Sequence, residues 1–184
     1  MSRGFEAVSR YVGEDGKPTI KLPRRSTKHS AGYDFFAPED IEIPPVIFGF
    51  IEDVVRTMYR NFKFHSDSPD KEGPREIKPT LIWTGVKSYM QSDEYLALVN
   101  RSSNPKKLGL ILANSIGIID KDYYNNPDNE GEMGFAYYNI FPWTVKIKKG
   151  DKLGQGIFQK FLLADNDDVT DSRMGGWGST SDKA

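Results

Sequence analysis

The chain of 184 residues contains no cysteine and only two histidines. The absence of cysteine excludes disulfide bonds and thiolate metal ligands, and two histidines argue against a histidine-rich zinc site. Any metal ion would therefore be held by oxygen ligands.

The sequence also lacks a long apolar run and an excess of one charge. No stretch approaches the roughly 20 apolar residues of a membrane span, and the N-terminal MSRGFEAVSRYVG has no signal-peptide core. Twenty-five basic and 26 acidic side chains give a net charge of -1, which argues against a dedicated binder of nucleic acids or membrane surfaces. We expect a soluble, intracellular protein.

Short apolar segments separated by 17 glycines and 11 prolines predict a mainly β protein. The length suits one domain, and closure into a β-barrel or jelly roll would remove exposed sheet edges. The strand candidates are TIKLP, DIEIP, PTLIWTGVKSYM, EYLALVN, LGLILAN, MGFAYYNIF, WTVKIKKG and LGQGIFQKFLL.

One segment has helical rather than strand periodicity. Residues 46–64, VIFGFIEDVVRTMYRNFKF, place apolar side chains on one side of a helix and charged side chains on the other. A polar, proline-containing loop follows, HSDSPDKEGPREIKP. The sequence therefore predicts a small helical insert between two strands of the β scaffold.

The segment GIIDKDYY places carboxylates where an apolar strand ends. Gly117 to Ile119 fit the end of a buried strand, and Asp120 and Asp122 follow it directly. Most aspartates in such positions cap a turn, and a functional carboxylate is the rarer alternative.

Two further turns offer groups suited to phosphate. Arg101, Ser102 and Ser103 follow the strand candidate EYLALVN, and a guanidinium fork beside hydroxyls can bind an anion. The C-terminal GGWGST combines close backbone approach, a stacking face and hydroxyl donors, as a nucleotide lid would. A surface turn and a flexible tail are the alternatives.

The order of five segments is more specific than any one of them. SAGYDFFA, RSS, GIIDKDY, GDKLGQGIF and GGWGST occur in that order between residues 30 and 180. Together they resemble the five motifs of the homotrimeric dUTPases, and the insert resembles those of enlarged dUTPases encoded by some bacteriophages. The resemblance implies a jelly-roll fold, a homotrimer, and hydrolysis of dUTP to dUMP and pyrophosphate with Mg2+.

The resemblance assigns roles on the nucleoside side of the site. Asp120 matches the carboxylate that activates the attacking water, and Tyr123 matches the tyrosine that packs on the deoxyribose and excludes a 2′-hydroxyl. Asn114 matches a polar residue beside the uracil.

On the phosphate side, Arg101, Ser102, Ser103 and Gln155 match the second and fourth motifs. Asp34 matches the first-motif aspartate and is expected near the metal only through water.

The C-terminal arm supplies the last group. Trp177 stands where the family usually has phenylalanine over the uracil, and Arg173, Ser179 and Thr180 are expected near the γ-phosphate.

The implied organisation is a β-barrel core of residues 1–45 and 75–164, an insert of residues 46–74, and a flexible arm of residues 165–184 that closes over a neighbouring subunit's site. Each site would draw motifs from three chains. The expected location is the cytoplasm, that of the host cell if a phage encodes the protein.

Several positions depart from the family pattern. The segment YNNPDNEGEMG after Tyr123 is longer than the usual turn, Lys152 replaces an arginine, and Gly154 replaces an alanine. Arg173 lies one residue closer to the glycine pair than usual.

Two alternatives stay open at this point. A dCTP deaminase shares the fold and the trimer but needs a proton-shuttling carboxylate at the base, whereas Asp120 and Tyr123 favour a dUTPase. A regulatory role is the other alternative, in which the insert binds a repressor-like protein partner. The simpler interpretation of the insert is that its apolar face packs on its own barrel.

Overall fold

The computed structural model describes residues 2–62, residues 77–170 and Gly175. Its strands are β1 (Gly4–Ala7), β2 (Arg24–Arg25), β3 (Tyr33–Phe36), β4 (Ile41–Ile43), β5 (Thr80–Trp83), β6 (Val86–Tyr89), β7 (Glu94–Asn100), β8 (Leu110–Leu112), β9 (Ile116–Ile119), β10 (Gly134–Asn139), β11 (Val145–Ile147) and β12 (Lys152–Lys160). Its helices are α1 (Ile47–Phe62), α2 (Ser103–Leu108) and 3-10 turns at Ser9–Tyr11 and Lys121–Tyr123. The chain is mainly β, as the sequence predicts.

Antiparallel pairing organises the strands into four sheets. The largest has the order β2-β3-β12-β7-β9, a second has the order β5-β10-β8, and β1-β6 and β4-β11 form two pairs. Among the described strands, every pair except β2 with β3 joins strands that are not consecutive in the chain, which is the topology of a jelly roll rather than of a simple meander.

One apolar core lies beneath the sheets. Its most buried side chains include Phe35, Leu96, Leu98, Phe135 and Tyr137. Phe35 and Phe135 meet edge to face with ring centroids 5.5 Å apart, and Phe135 stacks on Tyr137. Since β3, β7, β10 and β12 all contribute to this core, its packing fixes the strands that carry the candidate site.

Gly154 departs from the family's alanine for a packing reason. A Cβ atom at Gly154 would lie 2.2 Å from a ring carbon of Phe135, far inside van der Waals contact. The Phe135 ring therefore occupies the space that a side chain on β12 would need.

The predicted helix of the insert is confirmed as α1, which spans Ile47–Phe62. Several of its apolar side chains are exposed rather than packed on the barrel, among them Ile51, Val54, Val55 and Met58. Within the described residues, no helix is long and apolar enough to cross a membrane.

The predicted strand TIKLP is wrong. Residues 19–23 form no ladder. Pro18 before the segment makes only an isolated bridge to Val12, and Pro23 at its end lacks the backbone N–H that a ladder needs. Ile20 and Leu22 nevertheless pack against the core, which explains the apolar alternation. The short strands β1 and β2 were not among the strand candidates.

Strand β9 is half buried rather than fully buried. Gly117 and Ile119 face the core, whereas Ile116 and Ile118 are 52% and 55% exposed. The alternation follows the two-residue period of a strand.

Candidate functional site

Strand pairing brings three phosphate-side candidates together. Asp34 on β3 lies opposite Gln155 on β12, and Gln155 lies opposite Val99 on β7. Arg101 follows the last residue of β7 and so reaches the same edge of the large sheet. Residues that are far apart in sequence therefore meet because three strands are neighbours.

The Asp34 carboxylate is the centre of this group. It is 2% exposed and accepts hydrogen bonds from Lys152 Nζ at 2.7 Å, Ser26 Oγ at 2.5 Å and Gln155 Nε2 at 3.1 Å. The Nε atom of Arg101 lies 3.6 Å from its Oδ1. We call Asp34, Ser26, Arg101, Lys152 and Gln155 the anchor cluster.

Burial and hydrogen bonding act in opposite directions on Asp34. Burial raises its pKa, but the hydrogen bonds from Lys152, Ser26 and Gln155 outweigh burial and hold the pKa of the carboxyl below its usual range. Asp34 is thus ionised and orients the donors around it.

The anchor cluster carries more positive than negative charge. Arg101 and Lys152 are both cations, each about one third exposed, and they face a single buried carboxylate, Asp34. Exposed cations with one fixed anion behind them form a surface that attracts phosphate oxygens. Lys152 stands where the family usually has an arginine, and its ammonium group is a point charge rather than a planar fork.

Gly32 gives the Gln155 amide its space. A Cβ atom at Gly32 would lie 3.0 Å from Cδ and Oε1 of Gln155. A side chain at this glycine of the SAGYD segment would press on the Gln155 amide, which donates to Asp34.

Ser102 and Ser103 lie where α2 begins. Ser102 is exposed at the N-cap, and Ser103 is the first residue of the helix. The turn is attached to β12, because the buried Asn104 donates from Nδ2 to the Leu153 carbonyl at 2.6 Å. Ser102 and Ser103 therefore follow Arg101 directly, at the end of β7 where the anchor cluster lies.

Asp120 and Tyr123 lie at the other end of the same sheet. Asp120 directly follows β9 and is exposed at the start of the 3-10 turn that ends at Tyr123. Asn114 lies in the tight turn between β8 and β9, next to Ser115 with φ of 60°. Its Nδ2 lies close to Gly117, since a Cβ at that glycine would be 3.4 Å away, in van der Waals contact.

One chain does not bring Asp120 to Arg101. Ile119 pairs with Leu96, so Asp120 is level with Tyr95, and Arg101 lies six residues further along β7. At about 3.3 Å per residue, the two side chains start about 20 Å apart. Within one chain, the Asp120 carboxylate and the anchor cluster therefore lie at opposite ends of the paired strands β7 and β9.

The long segment after Tyr123 is closely hydrogen bonded. The Tyr123 hydroxyl donates to the Glu132 carbonyl at 2.9 Å and accepts from Asn129 Nδ2 at 2.8 Å. Tyr123 is 5% exposed, so most of its ring lies in the core and its orientation is fixed.

Within the described residues, no group of three or more His, Asp or Glu side chains is placed to hold a metal ion. Both oxygens of Asp34 already accept hydrogen bonds, from Gln155 and from Ser26 and Lys152. Because the Asp34 oxygens are already occupied, the arrangement fits a cation that is bound mainly by a nucleotide's phosphates and keeps most of its water ligands. A water-mediated contact from Asp34 remains a prediction.

Four predicted residues of the arm, Arg173, Trp177, Ser179 and Thr180, lie outside the described residues. Conversely, two members of the anchor cluster were not among the predicted site residues. Lys152 was noted only as a departure from the family pattern, and Ser26 belongs to no motif. Only the pairing of β2 with β3, which sets Arg24 opposite Asp34, brings Ser26 to the carboxylate.

Comparison with known proteins agrees with this architecture. The dUTPase family model matches residues 73–181. The deoxyuridine 5'-triphosphate nucleotidohydrolase of Lactococcus lactis is 43% identical over 180 residues, which is 97% of each chain.

Solved structures give the same result. The dUTPase of Streptococcus mutans superposes with a TM-score of 0.63 at 37% identity, covering 88% of this chain and 98% of that one. A dUTPase from phage phi11 of S. aureus, described with a species-specific insert, has a TM-score of 0.58 at 18% identity, covering 93% and 97% of the two chains. That second likeness concerns the fold alone. The chain belongs to the dUTPase family.

Proposed function

We infer that this chain hydrolyses dUTP to dUMP and pyrophosphate, which keeps uracil out of DNA and supplies dUMP for thymidylate synthesis. The observation that carries this conclusion is 43% identity to a dUTP nucleotidohydrolase over 97% of both chains. The match to the dUTPase family model gives no support to the alternative, deamination of dCTP.

Asp120 is proposed as the group that activates water. Its carboxylate is exposed at the end of β9, where it can orient a water molecule and accept its proton as the oxygen attacks the α-phosphorus. The backbone on both sides is fixed, by strand pairing before Asp120 and by the 3-10 turn after it.

The anchor cluster is proposed to bind the triphosphate. Arg101, Lys152 and Gln155 would donate to phosphate oxygens while Asp34 holds them in place, with Ser102 and Ser103 adding hydroxyl donors. Positioning of this kind lowers the barrier because the reacting groups need little rearrangement.

The nucleoside is proposed to lie against Asn114 and Tyr123. The Tyr123 ring is buried and hydrogen bonded, so it can act as a rigid wall beside C2′ and reject a ribose hydroxyl. Asn114 would hydrogen bond the uracil edge, and Trp177 with Arg173, Ser179 and Thr180 would cover the bound nucleotide.

The active unit is proposed to be a homotrimer. The family is homotrimeric, and the separation of Asp120 from Arg101 within one chain supports a site that a second copy completes. The exposed apolar side chains Ile116 and Ile118 on β9 fit burial against such a copy.

Divalent metal use is a property of the family, and a mutant of the phi11 phage enzyme coordinates a structural Mg(II) ion. We propose that Mg2+ serves this chain as well, held mainly by phosphate oxygens and water, with Asp34 contributing through water. Bound there, the ion would neutralise phosphate charge and polarise the α-phosphorus. We further propose a cytoplasmic location, that of the host if the gene is phage-borne.

The substrate assignment is tested by incubating the protein with Mg2+ and, in turn, dUTP, dCTP, dTTP and UTP. Pyrophosphate, nucleoside monophosphate and ammonia are quantified. Pyrophosphate and dUMP from dUTP alone are expected. Ammonia from dCTP would establish the deaminase instead, and no turnover of any nucleotide would remove the enzymatic role.

A second role is proposed for α1, which would bind a repressor-like protein partner. The observation that favours it is an exposed apolar face in which Val55 and Met58 are 58% and 55% exposed. The double variant Val55→Glu with Met58→Glu should abolish partner binding and leave dUTP turnover unchanged, with Glu52→Gln as a control on the same helix. Unchanged binding by the double variant would contradict this role.

A further inference from the structure

We propose that Asn129 is a positioning residue that fixes the ring of Tyr123 and thereby sets discrimination between deoxyribose and ribose. The inference rests on the proposed role of Tyr123 beside the sugar. It concerns the segment of residues 124–132, which is longer in this chain than the family's usual turn.

The Tyr123 hydroxyl has a partner on each side. It donates to the Glu132 carbonyl at 2.9 Å and accepts from Asn129 Nδ2 at 2.8 Å. The same Nδ2 lies 3.3 Å from the Glu132 carbonyl, so the three groups form a closed triangle. A phenol held in this way cannot slide along its ring plane without breaking a buried hydrogen bond.

Asn129 is itself held by Asn126. The Asn126 Nδ2 donates to Asn129 Oδ1 at 2.8 Å and to the Tyr123 carbonyl at 2.8 Å. The Asn126 Oδ1 accepts from the backbone N–H of Asn129 at 3.2 Å, and Asn129 Oδ1 accepts from Gly131 N at 3.1 Å. Both the backbone end and the hydroxyl end of Tyr123 are therefore tied to one asparagine pair.

The segment is also anchored to the N-terminal part of the chain. The Glu132 carboxylate is buried and accepts from Gly85 N at 2.7 Å and from Arg10 at 2.6 Å. Glu130 accepts from the backbone N–H of Ser9 at 3.0 Å and from its hydroxyl. These bonds hold the segment that carries Asn126 and Asn129 against the N-terminal part of the chain. Little conformational freedom therefore remains to be lost when the asparagine pair is ordered.

Rejection of ribose requires that the Tyr123 ring stay in place when a 2′-hydroxyl presses against it. A ribose differs from a deoxyribose by one oxygen atom, and a ring free to move by a bond length would admit it. Sites that reject a substrate by steric conflict depend on the side chains that lock the wall in place. The Asn129 side chain contacts the Tyr123 hydroxyl directly.

The experiment compares kcat/KM for dUTP with kcat/KM for UTP in the full-length protein. Asn129→Ala should lower this ratio about tenfold, the effect expected from one buried hydrogen bond. Asn125→Gly is the control, since Asn125 lies in the same segment with φ of 56°, a conformation that glycine adopts readily. Its side chain accepts from Lys87 Nζ at 2.6 Å and is neither of the two partners of the Tyr123 hydroxyl described above. The control should leave the ratio unchanged.

Tyr123→Phe removes the hydroxyl that Asn129 holds and tests the inference even if Asn129→Ala folds poorly. It should lower the ratio to the same extent, and the double variant with Asn129→Ala should lower it no further. Additive effects, or an unchanged ratio in Tyr123→Phe, would overturn the inference.

Tyr123→Ala separates this inference from the proposed function. If Tyr123→Ala raises the relative use of UTP while Asn129→Ala does not, Tyr123 selects the sugar and Asn129 plays no part. If Tyr123→Ala leaves the ratio unchanged, the sugar-selecting role of Tyr123 fails and the inference fails with it.

Discussion

Asp120 and Arg101 lie at opposite ends of the same pair of strands. Ile119 of β9 pairs with Leu96 of β7, so Asp120 extends beyond one end of the pair while Arg101 leaves the other. The strand pairing that builds the barrel therefore separates the proposed water-activating carboxylate from the phosphate-binding cations. In the proposed homotrimer, a second copy of the chain would bring these two groups into one site.

Asp120→Asn should abolish dUTP hydrolysis and preserve dUTP binding. The amide keeps the shape and the hydrogen-bonding reach of the carboxylate but cannot accept a proton from water. Turnover is measured by pyrophosphate release and binding by calorimetry. Turnover near the wild-type rate would contradict the role of Asp120.

Asp34→Asn should destabilise the protein by about 1–2 kcal/mol at pH 7, because Lys152 and Arg101 lose their counter-charge, although both cations are partly screened by water. The pKa of Asp34 is lowered in the folded state. Its stabilising contribution is therefore present above the unfolded-state pKa of about 4 and is lost as the pH falls through the lower folded-state pKa.

The measurement is urea unfolding of wild type and Asp34→Asn at pH 7, 5 and 3, at one protein concentration. The difference in free energy of unfolding should be the same at pH 7 and 5 and smaller at pH 3. An equal difference at all three pH values would show that the charge of Asp34 contributes nothing.

Gly154→Ala should destabilise the fold by about 1–3 kcal/mol, because the new methyl group collides with the Phe135 ring. The matched control is Gly49→Ala in α1, where the added carbon meets no described atom within 4 Å apart from its chain neighbours and its own helical backbone. The control should be neutral or stabilising by up to about 1 kcal/mol, from the higher helix propensity of alanine. Equal unfolding midpoints for both variants would refute the packing explanation.

Removal of residues 173–184 should reduce dUTP turnover at least about tenfold, because the arm is proposed to exclude water and to contact the phosphates. Removal of residues 181–184 alone spares Trp177, Ser179 and Thr180 and serves as the control. Steady-state kinetics on both truncated proteins decide the matter. Unchanged kinetics in the longer truncation would show that the arm takes no part in catalysis.

Local patterns predicted much of the secondary structure. Strand β7 was predicted with its observed bounds, 94–100, because its apolar run is uninterrupted. Helix α1 was predicted because its apolar residues recur at helical spacing. TIKLP failed because apolar alternation also occurs in an irregular segment whose side chains happen to reach the core.

The contacts of the site depended on information that local patterns do not carry. Asp34 and Gln155 are 121 residues apart and meet only through the register of β3 and β12. Ser26 reaches Asp34 through the pairing of β2, which has no apolar signal of its own. The network around Asn129 was likewise hidden, since a polar loop sequence gives no indication of which side chains turn inward.

The most direct test of the account is complementation between two inactive variants, Asp120→Asn and Arg101→Ala, unfolded together in equal amounts and refolded as mixed trimers. Each site would combine Asp120 of one chain with Arg101 of another, so random mixing should restore about a quarter of wild-type dUTP turnover. Each variant refolded alone should stay inactive. A mixture as inactive as its components would contradict the shared site.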